Sequence, residues 1–432
     1  MQDLMWLFHK GRYIFIVIIV LIFVGGIWYV VKMKDKNVVA ENDDTIVSET
    51  TNSLVEDEQS EENNKEVEFE YPDETNDLEW IVPNASQSLF TDNEKKKLEQ
   101  EAFEAAELVS EIYKDMDITD DLPYGTNIKG FTFDQRVQVV DILGNSGYCV
   151  VTDDYNMQNY ETVEDFYKEY TNGNEASTTI YIINKDGLLT SLTFLFRDDK
   201  IQTFYVGIKR QEGGQPELEN TLISDVAEIK LTEKGYFIYM YEIIIEHASI
   251  RNAIRIKPIS DECRELSKKY LSGLDYQKYN ILVTNWDGSN VERILMDGLF
   301  DDLYRIDTGE NFPTYSDSVD AELFERIMTT YLPVTIEDLR ANYVYDENSQ
   351  SYVHEIIFNS PYPPFGEVVD YTYNTDGTIT LYSDGVWVDH NSDFAFTDIT
   401  VIKPLPDGRF KYLSNSVTEQ ELELPPVAYK ER

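Results

Sequence analysis

The chain has 432 residues, 42% of them hydrophobic, and its 81 Asp and Glu against 36 Lys and Arg give a formal net charge of −45. That length allows two or three domains with a real core, while the acid excess repels DNA, RNA and anionic lipid headgroups and makes nucleic acid an unexpected partner. Two cysteines, Cys149 and Cys263, build no disulfide framework. Both are expected as buried free thiols, the alternative being a single long-range bridge between them.

The first predicted element is a membrane helix. Tyr13 to Val31 is nineteen residues without a charge, about 28 Å at helical rise, with Tyr13 at one end and Trp28 and Tyr29 at the other, where interfacial aromatics sit. Residues 1–12 form a cytosolic tail. A cleaved signal peptide would have a shorter apolar core and a small-residue cleavage site outside it; here Val24-Gly25-Gly26 falls inside the run. Lys10 and Arg12 on one flank and Lys32, Lys34 and Lys36 on the other nearly balance. The N-terminal position of the segment, the scarcity of cysteine and the 30 tyrosines turn the expectation toward an outward-facing C-terminal mass. Residues 32–89 then read as a juxtamembrane stretch and a disordered acidic stalk. Sixteen Asp and Glu stand against Lys65 alone between Glu41 and Trp80, with few large apolar residues to bury. About fifty flexible residues span roughly 40 Å.

The expected fold class of the remainder is α+β, with helix-plus-antiparallel-sheet lobes. A first lobe covers 90–212. Thr91 and Glu94 make a capping box, and Leu98, Ala102, Ala105, Leu108 and Ile112 recur at helical spacing. VQVVDILG (137–144) and GYCVVTDD (147–154) read as strands, ETVEDFYKEY (161–170) as a short helix. The run from Ser177 to Arg210 reads as three strands joined at NKDG and RDDK. RQEGGQPELEN (210–220) marks a boundary. A middle α/β region, 213–310, either continues the first lobe or stands apart. It holds strands in AEIKLTEKGYFIYMYEIIIEH, then helices in SDECRELSKKYL and NVERILMDGLFDDL. After the second boundary, near Gly309 and Pro313, a strand-rich lobe covers 311–432. It opens with a helix over about 319–331 and a second one capped by Thr335 and Asp338.

One pattern occurs twice. Tyr181–Thr190 and Tyr371–Thr380 share Y-x-x-N-x-D-G-x-h-T, with h apolar, and a third NxDG occurs at Asn285–Gly288. NxDG is a generic hairpin turn, so the inference is a helix followed by a meander, used twice.

Catalytic signatures are sparse. Asp115-Met-Asp-Ile-Thr119 matches DxDxT, but it follows an amphipathic helix instead of the buried strand that phosphate transfer to an aspartate needs. As a calcium loop the same stretch places Asp120 and Thr126 where a glycine and a glutamate belong. Of the four histidines, His247, His354 and His390 follow the membrane segment, and no GxSxG or HExxH accompanies them. No phosphate-cradling glycine motif occurs, so no cofactor and no metal are expected. Carboxylate pairs are too numerous among 81 acids to be informative. The expected ligand contacts are Trp286 in NWDG and Trp387 in GVWVD, as stacking platforms for sugar, and the neighbouring His390. The alternative for an aromatic on a strand is cross-strand packing or core.

The tail YNTDGTITLYSDGVWVDHNSDFAFTDITVIKPLPDGRFKYLSN carries a resemblance. Its DGT turn at Asp376, the Val386-Trp387 pair, the run Phe394–Thr397 and the closing Phe410–Asn415 resemble the ending of an uncharacterised family of membrane-anchored or secreted proteins of Gram-positive clostridia. The resemblance implies an extracytoplasmic location and no activity. The expected role is a membrane-anchored, non-enzymatic binding or assembly module that engages a protein or cell-wall component. The alternatives are a cell-envelope hydrolase using a carboxylate pair, and an extracellular sensor. A hydrolase calls for a cleft with a raised-pKa carboxylate, a binding module for an exposed apolar or aromatic patch.

Overall fold

A computed structural model describes residues 87–119, 127–242, 251–274, 280–313, 316–354, 357–358, 362–424 and 428–429. The expected anchor and most of the stalk lie outside these residues, and no helix among the described residues is long and apolar enough to cross a membrane. From Ser86 onward the chain clusters as one compact unit.

Helix α1 (Asp92–Leu108) starts at the expected capping box: the Thr91 hydroxyl accepts from Glu94 N and the Glu94 carboxylate accepts from Thr91 N. A short α2 (Ser110–Tyr113) and a two-stranded hairpin, β1 (Asp117–Thr119) with β2 (Asn127–Lys129), follow. Next comes α3 (Phe133–Asn145), where VQVVDILG was expected as a strand. The three valines suggested a strand, but a second capping box, Thr132 with Gln135, starts a helix ahead of them. Val139, Val140 and Leu143 then fall buried on one helical face.

A mixed sheet of seven strands is built from β3 (Val150–Thr152), β4 (Ala176–Ile183), β5 (Leu189–Arg197), β6 (Lys200–Arg210), β7 (Pro216–Leu231), β8 (Tyr236–Tyr241) and β9 (Arg251–Arg255), in chain order. β3 pairs parallel with β4 across the crossover helix α4 (Glu161–Thr171); the other pairs are antiparallel. β5 is buried along its whole length except Arg197, which places it mid-sheet with both faces covered. One face packs under α1 and α3 around Ala105, Val140, Leu189 and Val206. The other packs under α4 around Phe166, Phe194 and Phe237. The expected boundary at RQEGGQPELEN is the turn Glu212–Gly214 between β6 and β7, so the sheet runs on from the first lobe into the middle region.

The second half begins with α5 (Asp261–Tyr270), whose Cys263, Leu266 and Tyr270 are buried on one face as their spacing predicts. NVERILMDGLFDDL is two elements, not one helix. A 3-10 turn at Val291–Ile294 is separated from α6 (Leu299–Thr308) by Gly298, whose φ of 85° no helix interior tolerates. Then come β10 (Ser318–Asp320), α7 (Ala321–Tyr331), α8 (Ile336–Asn342) with the expected Thr335–Asp338 cap, β11 (Tyr345–Asp346) and β12 (Ser351–Val353). β13 (Ile357–Phe358) follows. β14 (Phe365–Tyr373), β15 (Ile379–Val386), β16 (Phe396–Pro404) and β17 (Phe410–Gln420) make a four-stranded antiparallel meander, and β18 (Ala428–Tyr429) pairs back on β13. α5 and α7 cover one face of this meander around Leu381, Ile402 and Tyr412.

The repeated motif is a repeated turn. In Asn184–Gly187 and Asn374–Gly377 the glycine N–H donates to the asparagine carbonyl, the aspartate carboxylate accepts from the N–H two residues on, and the glycine has φ of 84° and 81°. The third NxDG, Asn285–Gly288, is not a hairpin: Trp286 instead pairs its backbone with Asn415 on β17.

Candidate functional site

A cluster of titratable side chains lies where the end of the four-stranded sheet meets the β7–β9 end of the seven-stranded one. Glu367 on β14 and Asp384 on β15 are direct cross-strand partners, so they share a face. Each meets a cation from the other sheet. Arg255 Nη1 lies 2.6 Å from Glu367 Oε2, and Lys234 Nζ, in the β7–β8 turn, lies 2.6 Å from Asp384 Oδ1. The Tyr236 hydroxyl donates to Glu367 Oε1 at 3.0 Å, and Lys234 also sits over the Phe394 ring. Burial pushes the Glu367 carboxyl up, with the like charges of Asp384 and Asp393 adding to it and Arg255 opposing. Burial likewise holds the Tyr236 phenol well above its ordinary range.

A loop after β15 closes the same joint. Arg251 Nη1 donates to the Asp389 carbonyl at 3.0 Å and Lys230 Nζ to the Asn391 carbonyl at 2.8 Å, while the Asn391 amide donates to Glu228 at 2.6 Å. Two of the expected ligand residues sit on this loop. Trp387 is 5% exposed, its ring N–H donates to the Tyr362 carbonyl, and His390 stacks on it at 3.7 Å between ring centroids. His390 itself is exposed. Trp286 is elsewhere and 3% exposed, its ring N–H bound to the Ile281 carbonyl. Neither indole presents a face to solvent, because a buried indole N–H needs a partner and both find theirs inside the fold. Glu367, Asp384, Lys234, Tyr236 and Arg255 were not singled out from the sequence. Their signal is only alternation along β14 and β15, and nothing local marks the two cations that cross from the other sheet.

Other candidate chemical groups are also engaged. His354 directs Nδ1 at the Ser316 carbonyl (2.7 Å) and Nε2 at the Asp301 carboxylate (2.9 Å). Both partners are acceptors, so both ring nitrogens carry protons. Burial alone would lower the His354 pKa, but the bonds and charge of Asp301, the Ser316 carbonyl and Asp317 outweigh it and raise it. Cys149 lies buried beside the Met157 sulfur, and burial pushes its thiol up to about 11, the reverse of an activated nucleophile. Cys263 is a buried free thiol as expected.

The face of the meander turned away from α5 and α7 is different in kind. Phe365 and Val369 on β14 and Tyr382 on β15 are 42%, 40% and 36% exposed, and Ile399 and Val401 on β16 lie half-buried beside Tyr382. These residues form a strip that starts at the joint and is interrupted by the Glu367–Asp384 pair and by the exposed Asp370, the cross-strand partner of Tyr382.

No curated protein and no solved structure matches the chain. A family model does, over residues 95–432, which takes in both sheets, the joint and the exposed strip. The chain belongs to that family, DUF6070, a family of unknown function.

Proposed function

We propose that the chain is a single-pass protein of a Gram-positive cell envelope, anchored by Tyr13–Val31, whose head from Ser86 onward is a non-enzymatic binding or assembly module outside the membrane. The observation that carries this reading is the exposed strip Phe365, Val369 and Tyr382 with Ile399 and Val401, on a sheet whose other face is closed by helices. The joint supports it. Its carboxylates are each neutralised by a cation and its tyrosine is committed to Glu367, an arrangement that holds two sheets in register to display a surface. A protein or a wall polymer is the partner class.

The second reading is a hydrolase of envelope polymers. Glu367, raised by burial, and Asp384 on the neighbouring strand are the carboxylate pair that it would use.

The test places a photo-crosslinking residue at Tyr382, or at the exposed Lys96 of α1 as control, in intact cells. Adducts at position 382, absent at position 96 and lost when protease added to protoplasts removes the head, are the expected result. Equal labelling at both positions, or wall-polymer cleavage abolished by Glu367→Gln, would overturn the binding reading in favour of none or of the hydrolase.

A further inference from the structure

The helix-facing side of the four-stranded sheet contains a chain of polar side chains in an apolar core. On β16, Asp398 and Thr400 alternate with outward residues and are both buried; Asn415 on β17 lies opposite Thr400 and is buried with them. Asn415 Nδ2 donates to the carbonyls of Leu282 (2.9 Å) and Thr284 (3.0 Å). Its backbone exchanges both hydrogen bonds with Trp286. The segment Leu282–Trp286 is thus tied to β17 through Asn415.

Proton bookkeeping along this chain has one solution. With its amide nitrogen committed to two carbonyls, Asn415 turns Oδ1, an acceptor, toward Thr400 Oγ1 at 2.8 Å. The single Thr400 hydroxyl hydrogen goes there. Thr400 Oγ1 also lies 2.7 Å from Asp398 Oδ2, and it has no second hydrogen to give. That contact is a hydrogen bond only if the proton belongs to Asp398. Reversing the Asn415 amide would aim its oxygen at two carbonyl oxygens.

We infer that Asp398 is held as a neutral carboxylic acid and closes a proton-dependent latch between the four-stranded sheet and the segment Leu282–Trp286. The surroundings agree. The one charge acting on the carboxyl among the described residues is Asp384 on β15, a like charge that is itself paired with Lys234. Ser383, the cross-strand partner on β15, and Val417, the partner on β17, are uncharged. The second oxygen, Oδ1, has no hydrogen-bond partner among the described residues, which a carboxylate would tolerate less well than the carbonyl of an acid. Burial pushes this carboxyl up to about 8, opposed by a Thr400 hydroxyl when its hydrogen is turned to the carboxylate, with Asp384 adding to the rise. Ionisation forces Thr400 to turn its hydrogen to Asp398, which orphans Asn415 Oδ1 and sets two acceptors against each other.

The sign follows. A folded pKa above the unfolded value of about 3.9 means that the folded state holds a proton the unfolded chain has lost, so this stabilisation is complete below about pH 4 and gone above about pH 8. Asp398→Asn supplies the same donor to Thr400 without titrating. In the full chain in detergent micelles, the folding equilibrium constant of the wild type should fall relative to Asp398→Asn by about tenfold per pH unit between about pH 5 and 7.5. Hydrogen exchange at the Trp286 and Asn415 amides, corrected for base catalysis, should quicken in the wild type as pH rises from about 5 to about 8, level off above that, and stay flat in the variant. A constant ratio of the two folding constants across that range would overturn the inference. So would an Asp398→Asn chain that fails to fold, since the amide replaces the proposed donor atom for atom. Wild-type exchange that does not quicken between about pH 5 and 8 would overturn it as well.

Discussion

The two sheets bury their faces differently. The seven-stranded sheet is closed on both sides, by α1 and α3 on one face and α4 on the other, and Phe166, Phe194, Phe237 and Tyr239 form a contiguous aromatic cluster in its core. The four-stranded sheet is closed by helices on one side, while on the other the seven-stranded sheet covers only its end at the joint. Even under the helices it buries Ser383, Asp398, Thr400 and Asn415 among its apolar residues, and its other side carries the exposed strip. A sheet closed on both faces has spent its apolar surface on its own fold. A sheet open on one face retains surface for a partner, and the polar groups in its closed face make its integrity depend on protons. Under the proposed binding reading, the first sheet is the support and the second the recognition surface.

The sharpest way to break that contrast is to hollow each core. Phe194→Ala removes a fully buried ring that touches Phe166, Phe237 and Tyr239, and should cost about 3–5 kcal/mol in denaturant unfolding at any pH, as no ionisable group changes. Asn415→Ala in the second sheet should cost about 3 kcal/mol, because it strips a partner from Leu282, Thr284 and Thr400 together, each of them buried or half-buried. If the Asn415 variant were as stable as wild type, the polar chain would be incidental and the contrast between the cores would fail.

A smaller effect is expected at the joint. Glu367→Gln keeps the shape and leaves Arg255 without its counter-charge, a loss of about 1–2 kcal/mol given that both side chains are partly exposed. The same variant should leave crosslinking from position 382 unchanged if the joint only positions the strip. Crosslinking lost together with a stability change within about 0.5 kcal/mol, the size of a neutral surface substitution, would instead put Glu367 in contact with the partner.

How far the sequence could be read differs between the sheets for a physical reason. β4, β5 and β6 were legible because NKDG and RDDK are turns with local chemistry and the intervening runs are β-branched and aromatic. The caps at Thr91 and Thr335 were legible for the same reason, since a capping box is closed within four residues. α3 was misread because its valines have strand propensity, while the Thr132–Gln135 box ahead of them decides the outcome. The candidate surface was not legible. Tyr382 alternates along β15 like any half-buried strand residue, and only the placement of α5 and α7 on the opposite face determines that its side stays open. Trp286 and Trp387 are large aromatics, yet ring size does not tell a platform from a core residue, and each ring N–H is bound to a carbonyl that sequence spacing could not identify.

The smallest expected effect concerns His354 and sharpens the comparison on the same lobe by an independent route. Its two protonated nitrogens tie α6, through Asp301, to the Ser316 carbonyl ahead of β10, and its ring packs edge-on to Phe300 and Phe312. The folded pKa is raised above the usual histidine value, so the contribution is fully present below about pH 6.5 and is lost as pH rises through the folded value. His354→Gln can still donate to one acceptor but does not titrate. Plotted against pH, the stability difference between wild type and His354→Gln should be largest in mild acid and shrink toward alkaline pH. A difference that instead grew with pH would mean that the ring is neutral in the folded chain and that one of its two short contacts is not a hydrogen bond. Because the latch at Asp398 and the clamp at His354 lose stability in the same direction, the double variant should have a flatter profile than either single one, and the Phe194→Ala variant should keep the slope of the wild type.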